Sequence, residues 1–142
     1  MSTKEQTLGE IIARHHRREG PLLPILHDVQ HEYGCVDAES EALIAKGLNL
    51  SRADVHGVVS FYHDFLSKPD PRPVVQICRA EACKARGVER LINDATLAAG
   101  ERVKIATVYC LGLCSAGPAA RTGDDLHIRL DEAAIVKLVE NA

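Results

Sequence analysis

Two stretches decide the fold of this chain: VVQICRAEAC at residues 74–83 and VKIATVYCLGLC at residues 103–114. Each begins with a run rich in β-branched residues, which predicts a strand, and leads directly into a pair of cysteines. The spacing is Cys-x4-Cys in the first stretch and Cys-x3-Cys in the second. If the two strands are parallel neighbours, their carboxyl ends meet at one edge of the sheet. The sequence therefore predicts that four thiols converge there, those of Cys78, Cys83, Cys110 and Cys114.

The segments around these cysteines predict a small α/β domain over residues 74–142. Residues 83–99 carry apolar side chains at helical spacing, so one helix is expected between the two strands. Residues 119–122 and 126–130 flank a Gly-Asp-Asp turn and predict a hairpin. A closing helix follows Asp131 as its N-cap. The order strand, helix, strand, hairpin, helix is typical of one small mixed sheet covered by helices.

The first part of the chain has a different character. Residues 1–66 contain four short amphipathic segments, which predict an N-terminal helical bundle. Ser51, with Asp54 three positions later, predicts a capping box at the start of the last helix. The segment 67–73 reads Ser-Lys-Pro-Asp-Pro-Arg-Pro, and its alternating prolines predict an extended linker. The predicted fold class is therefore α+β.

Composition narrows the function further. The chain has 142 residues with a formal net charge of −3, which argues against a nucleic-acid binder. No apolar run reaches the ~18 residues of a membrane span, and the polar N-terminus lacks the apolar stretch of a secretory signal. We therefore expect a cytoplasmic protein without membrane insertion. In a reducing compartment, five cysteines indicate a metal site or redox chemistry more readily than disulfides.

The spacing of the cysteine pairs favours a [2Fe–2S] cluster, in which each iron takes two thiolates. Structural zinc sites favour closer pairs, although zinc also accepts these spacings, and a dithiol redox site stays open. Gly112 and Gly117 are expected to allow tight turns beside the last ligands. The fifth cysteine, Cys35, lies far from both pairs in the sequence and is predicted to be a small buried thiol.

The motifs resemble those of a known family. Cys-x4-Cys, then YCLGLCSAGP at residues 109–118, then a hairpin with a glycine, is similar to the thioredoxin-like [2Fe–2S] ferredoxins. The stretch LSRADVHGVVSFY at residues 50–62 extends the resemblance to the 24-kilodalton subunit of complex I. The CRAEAC spacer at residues 78–83 and FYHDF at residues 61–65 most resemble the gamma subunit of soluble NAD-dependent molybdenum formate dehydrogenases.

This resemblance implies a thioredoxin-like fold for residues 74–142 and a cluster held by Cys78, Cys83, Cys110 and Cys114. It also implies a non-catalytic electron-transfer subunit of an NAD-linked oxidoreductase, with no active site of its own. The implied partners are a diaphorase subunit that binds FMN and NAD and a larger subunit that carries the molybdenum cofactor. The chain itself shows no G-x-G-x-x-G nucleotide-binding fingerprint, which agrees with a flavin on a partner.

Other functions stay open at this stage. Within the same class, the chain could serve a complex I or an NAD-linked hydrogenase. From a different class, zinc at the four cysteines would make it a structural adaptor that only holds subunits together. A third alternative is a metal hydrolase built on His27 and His31, which have i, i+4 spacing but no third ligand nearby in the sequence.

Overall fold

The chain separates into two units, Met1–Asp70 and Pro71–Ala142, in a computed structural model that describes all residues, 1–142. The boundary between the units lies within the proline-rich segment 67–73. None of the helices has the length and apolar character that crossing a membrane requires. Each unit has its own hydrophobic core.

The first unit consists of four helices, as its amphipathic segments predict: α1 (Thr3–His15), α2 (Leu22–Tyr33), α3 (Ala38–Leu48) and α4 (Arg52–Phe61). Helices α1 and α4 both begin with a capping box, formed by Ser2 with Glu5 and by Ser51 with Asp54. The apolar faces meet in one core, which contains Leu8, Ile11, Ile25, Leu26, Val29, Val36, Ile44, Ala45, Val55, Val59 and Phe65.

The last helix of this unit is shorter than its apolar pattern predicts. The pattern continues to Phe65, but Tyr62 leaves the helical region with φ −91° and ψ 106° and ends the helix. The backbone N–H of Val36 donates to the carbonyl of Leu66 at 2.7 Å, which draws the following segment onto the unit. Phe65 is buried as a result, whereas the Phe61 side chain is 75% exposed.

Asp37 joins two helices of the first unit. Its carboxylate caps α3 by accepting from the backbone N–H of Ser40 at 2.9 Å, and it accepts from Lys4 of α1 at 2.8 Å. The Lys4 ammonium and the Ser40 N–H lower the pKa of Asp37 from 3.8 to about 2. Because the folded pKa is lowered, the stability from this carboxylate is present above about pH 4 and is lost as the pH falls through about 2.

We expect Asp37→Ala to lower the free energy of unfolding of the first unit by about 1 kcal/mol at pH 7, the usual effect of losing an N-cap. Asp37→Asn keeps an acceptor at the cap, so its effect at pH 7 should be smaller. It should also flatten the loss of stability between about pH 4 and 2. Urea unfolding followed across that range measures both effects.

Glu39→Gln is the matched control, because Glu39 also contacts Lys4, at 2.9 Å, but does not cap the helix. It should leave the acid profile close to that of the wild type. If Asp37→Asn and the wild type lost stability equally over this pH range, the ion pair with Lys4 would have no role in acid stability.

The second unit is built on a four-stranded mixed sheet: β1 (Val74–Cys78), β2 (Lys104–Val108), β3 (Ala120–Thr122) and β4 (Asp125–His127). The strand order is β2-β1-β3-β4. Strands β1 and β2 are parallel, and β3 is antiparallel to both β1 and β4. The hairpin strands are shorter than the segments 119–122 and 126–130 predicted for them.

Three helices accompany the sheet: α5 (Glu81–Ala85), α6 (Val88–Ala99) and α7 (Glu132–Glu140). The sequence predicts one helix over residues 83–99, and this prediction is wrong because Gly87 adopts φ +89° and breaks the run. Helix α6 packs against α7. The core beneath the helices contains Val75, Ile77, Cys78, Cys83, Val88, Leu91, Ala95, Ala99, Val103, Ala119, Ala120, Leu130, Ile135 and Val139. Two of the cysteines predicted as ligands therefore belong to this core.

Candidate metal centre

The structure brings two cysteine-bearing loops to one edge of the sheet. Strands β1 and β2 run parallel in a register that pairs Cys78 with Val108, so both strands end at the same level. Cys78 ends β1, and Cys83 lies in α5 directly after it. The second loop carries Cys110, two residues after β2, and Cys114, which begins a short 3-10 turn. All four thiols are free, and none forms a disulfide.

The two pairs differ in their exposure to solvent. Cys78 and Cys83 are each only 2% exposed, whereas Cys110 and Cys114 are exposed. The sulfur atoms of Cys110 and Cys114 lie 4.0 Å apart. The first pair is therefore embedded in the core of the second unit, and the second pair faces outward.

The two loops interact through the sulfur of Cys78. Burial raises the pKa of the Cys78 thiol, but hydrogen bonds to its sulfur outweigh burial and hold the pKa below its ordinary value. The first of these donors is the backbone N–H of Ala80, in its own loop. The backbone N–H groups of Cys110 and Leu111 also donate, from the opposite loop. The site thus stabilises negative charge on this sulfur with fixed backbone dipoles.

The conformation of the second loop explains how its amides face the sulfurs. Cys110 adopts φ +104°, which is uncommon for a residue with a side chain, and Gly112 adopts φ +74°. Successive amides in such a turn point toward a common side and form an anion-binding concavity. The backbone N–H of Gly112 donates to the sulfur of Cys110 at 3.3 Å. The prediction that Gly112 permits a tight turn is confirmed by this positive φ.

The thiols of Cys83 and Cys114 are held closer to their neutral form. Burial raises the pKa of the Cys83 thiol, and the neighbouring Cys78 thiol raises it further. The adjacent Cys110 thiol raises the pKa of Cys114. Cys78 also adds to the charge repulsion at both Cys83 and Cys114, which links the two pairs electrostatically. Thiols grouped in this way resist ionising together unless a cation neutralises them.

An ion pair outside the thiols holds the first loop. Arg79 follows Cys78 directly, and its guanidinium makes two hydrogen bonds to Glu89 of α6, at 3.0 Å and 2.7 Å. The backbone N–H of Arg79 donates to the carbonyl of Val108 at 2.9 Å and so continues the pairing of β1 with β2 past Cys78. Arg79 therefore connects the first loop both to α6 and to the end of β2.

The donor set fits a two-iron cluster. Thiolate sulfur is the ligand of [2Fe–2S] clusters, which take two thiolates on each iron, and the site offers two pairs of free thiols with backbone N–H donors beside them. Nowhere in the chain are three or more His, Cys, Asp or Glu side chains grouped as the ligands of one metal ion.

Of the two histidines considered for a hydrolase, His27 has a packing contact in the first unit. The ring of His27 packs against Phe65, with 5.0 Å between ring centroids. Asp28, between His27 and His31, accepts from His15 at 2.7 Å and pairs with Arg14 at 3.5 Å. His27 therefore contributes to the packing of the first unit.

Two further predictions have clear outcomes in the structure. Cys35 is 7% exposed and lies in the first unit, so its prediction as a buried thiol is confirmed. The prediction that Gly117 permits a tight turn is wrong, because Gly117 has φ −68° and ψ 166°, an extended conformation open to any residue. The particular amides that donate to sulfur and the Arg79–Glu89 pair were not predicted, because spacing alone does not tell which amides and side chains meet.

Comparison with known proteins identifies the family. Residues 8–142 match the family model described as thioredoxin-like [2Fe–2S] ferredoxin. The chain belongs to this family. Membership implies a [2Fe–2S] cluster, and the mixed sheet with its helices has the thioredoxin-like fold that the resemblance implied.

Several proteins similar to this chain are named as subunits of NADH-quinone oxidoreductases or NAD(P)-linked hydrogenases. The chain is 28% identical to a subunit of an NADH-quinone oxidoreductase of Rhizobium meliloti, over 98% of this chain and 88% of the relative. It is 25% identical to a subunit of the NADP-reducing hydrogenase of Solidesulfovibrio fructosivorans, over 87% and 77% of the two chains. It is also 29% identical to the alpha subunit of the NAD-reducing hydrogenase of Cupriavidus necator. That match covers 95% of this chain but only 24% of the hydrogenase subunit.

A solved structure contains a chain with a similar fold. The crystal structure of an NAD+-reducing [NiFe]-hydrogenase in the air-oxidized state contains a chain that superimposes with a TM-score of 0.70 at 26% identity. The match covers 84% of this chain and 22% of that hydrogenase chain. The present chain thus corresponds to about a fifth of the larger polypeptide.

Proposed function

We propose that this chain is an electron-transfer subunit whose [2Fe–2S] cluster is held by Cys78, Cys83, Cys110 and Cys114. The observation that carries the proposal is the placement of two free-thiol pairs at the carboxyl ends of adjacent parallel strands. Family membership supports the identity of the cluster. When bound, the cluster supplies reversible transfer of one electron at a time.

The residues around the thiols have definable tasks in this proposal. The buried pair, Cys78 and Cys83, anchors the site to the core, and the exposed pair, Cys110 and Cys114, covers it on the solvent side. The backbone N–H groups directed at Cys78 and Cys110 stabilise negative charge on the sulfurs. Since these donors belong to the backbone, they need little reorganisation when the charge of the site changes.

The chain acts together with other subunits. Its relatives are named as subunits of NADH-quinone oxidoreductases and NAD(P)-linked hydrogenases. We propose a diaphorase partner that binds FMN and NAD, because a flavin links two-electron nicotinamide chemistry to one-electron carriers. This chain is then a non-catalytic component of an NAD-dependent oxidoreductase, in the cytoplasm.

The complex that we favour is an NAD-dependent formate dehydrogenase, with this chain as its gamma subunit and a larger partner that carries the molybdenum cofactor. The support is the resemblance of the CRAEAC spacer at residues 78–83 and the FYHDF run at residues 61–65. A second candidate is a peripheral subunit of complex I or of an NAD-linked hydrogenase, which the names of the compared proteins favour.

Purification of the intact complex from the native organism, through an affinity tag on this chain, tests the choice of complex. If the complex is a formate dehydrogenase, we expect it to contain molybdenum and flavin and to reduce NAD with formate as the electron donor. Nickel together with hydrogen-dependent NAD reduction would instead identify the hydrogenase, and NADH-dependent quinone reduction would identify complex I. Recovery of the chain alone, with no flavin-binding partner, would contradict the proposed electron-transfer complex.

A further inference from the structure

The backbone conformation at position 117, in the second loop, does not explain why the residue there is a glycine. The residue lies three positions after Cys114, ends the 3-10 turn and is buried. Its φ of −68° and ψ of 166° are available to alanine and to most other residues. A glycine is therefore not required here for a turn.

A glycine is needed at position 117 because neighbouring side chains leave too little room for a Cβ atom. A Cβ atom at position 117 would stand 3.0 Å from the sulfur of Cys83 and 3.2 Å from Cδ of Arg86. The carbonyl oxygen of Cys114 would follow at 3.8 Å. The distances to Cys83 and Arg86 are both tighter than nine in ten real Cβ contacts, so the Cys83 sulfur or the segment around position 117 must shift by a few tenths of an ångström.

The contact with Cys83 differs from the other close approaches to glycines in this chain. A Cβ at Gly47 would meet the end of the Ile12 side chain, and a Cβ at Gly87 would meet the guanidinium of Arg90. Both of those are the flexible ends of long side chains. Cys83, by contrast, has a short side chain, is 2% exposed and sits within the core of the second unit.

We infer that Gly117 positions the Cys83 sulfur relative to the second loop, so that the first cysteine pair lies at the distance from the second pair that the cluster requires. This inference rests on the proposed function. Gly117 directly follows the 3-10 turn that begins at Cys114, and this turn contacts α5. The α carbon of Gly117 lies next to the sulfur of Cys83, which belongs to α5. A methyl group at this point separates the two loops or rotates the Cys83 sulfur away. Gly117 is therefore a positioning residue, and Cys83 is the ligand through which it acts.

The first test compares Gly117→Ala with the wild-type full chain, each reconstituted with iron and sulfide. We expect the chelator concentration that removes half of the visible absorbance to fall about 10- to 100-fold, the usual effect of losing support for a metal ligand. The g values of the reduced cluster should shift as well, because the sulfur that binds one iron has moved. A purely structural role would lower stability without changing the spectrum.

Gly57→Ala is the matched control, since a Cβ at Gly57 of α4 meets nothing within 4 Å. It should bind the cluster as the wild type does. The variant Arg86→Ala/Gly117→Ala separates the two close contacts. If truncating Arg86 restored wild-type cluster retention and g values, crowding of Arg86 would be the cause and the inference would be overturned. Unchanged retention and g values in Gly117→Ala would also overturn it.

A double-mutant cycle on the chain without metal tests the contact even if Gly117→Ala folds poorly. Cys83→Ala removes the sulfur, so alanine at position 117 should lower the melting temperature much less in that background than in the wild type. Equal effects in both backgrounds would overturn the inference. A wild-type chain that bound no iron and sulfide would overturn the proposed function instead, and the cycle would still measure whether Gly117 acts on Cys83.

Discussion

Replacing Cys110 by alanine is expected to abolish the cluster while leaving the metal-free chain folded. Cys110 is exposed, so losing its sulfur opens no cavity in the core, yet one iron loses one of its two thiolates. We expect the iron bound per chain to fall at least about tenfold, because losing even an outer-shell partner of a metal ligand typically lowers metal affinity by about 10- to 100-fold. Cys114→Ala should behave in the same way, because that thiol is exposed too. Iron and acid-labile sulfide assays measure the loss, and circular dichroism monitors the fold.

Cys35→Ala is the control for this pair of variants. It removes the remaining cysteine, which lies in the first unit, and should keep the full iron and sulfide content. Cys78→Ala and Cys83→Ala are less informative, because both residues are buried and their loss also destabilises the core. Full iron retention in Cys110→Ala would contradict the assignment of the four ligands.

Removal of the cluster from the wild-type chain is expected to destabilise the second unit selectively. The cluster would link the ends of β1 and β2 and both cysteine loops, so the metal-free unit loses the free energy of binding. A ligand present at about a thousand times its Kd contributes about 4 kcal/mol. The slowest amides of β1 and α6 should therefore exchange with solvent on the order of a thousandfold faster after iron removal.

The amides of α2 provide an internal control in the same sample. They belong to the first unit, which has a separate core, and should exchange at the same rate with and without iron. Equal protection of β1 in both forms would show that the cluster contributes nothing to the stability of its own unit. Equal acceleration in α2 and β1 would show that the two units do not unfold independently.

Much of this architecture follows from the sequence because local patterns and tertiary structure agree. The β-branched runs before Cys78 and Cys110 form the parallel strands that they predict, and the hydrogen-bond register places both carboxyl ends together. The four helices of the first unit follow from amphipathic spacing and from caps such as Ser51 with Asp54. In these places propensity, capping and burial all favour the same structure.

The features that escaped prediction depend on the tertiary structure. The break between α5 and α6 depends on a positive φ at Gly87, in a segment whose apolar periodicity continues through it. The apolar pattern of α4 continues to Phe65, but the helix ends at Phe61, and Phe65 is buried from the segment that follows the turn at Tyr62. The reason for Gly117 is a neighbour more than thirty positions away in the sequence, and no local pattern shows that contact.

Metal and sulfide analysis of the anaerobically purified full chain, together with electron paramagnetic resonance after reduction, decides whether the four cysteines hold a [2Fe–2S] cluster. We expect a red-brown protein with iron and acid-labile sulfide in equal amounts, two of each per chain, and a paramagnetic signal that appears on reduction. A colourless protein with one zinc ion per chain, no sulfide and no signal on reduction would refute the cluster and leave a structural zinc site in its place.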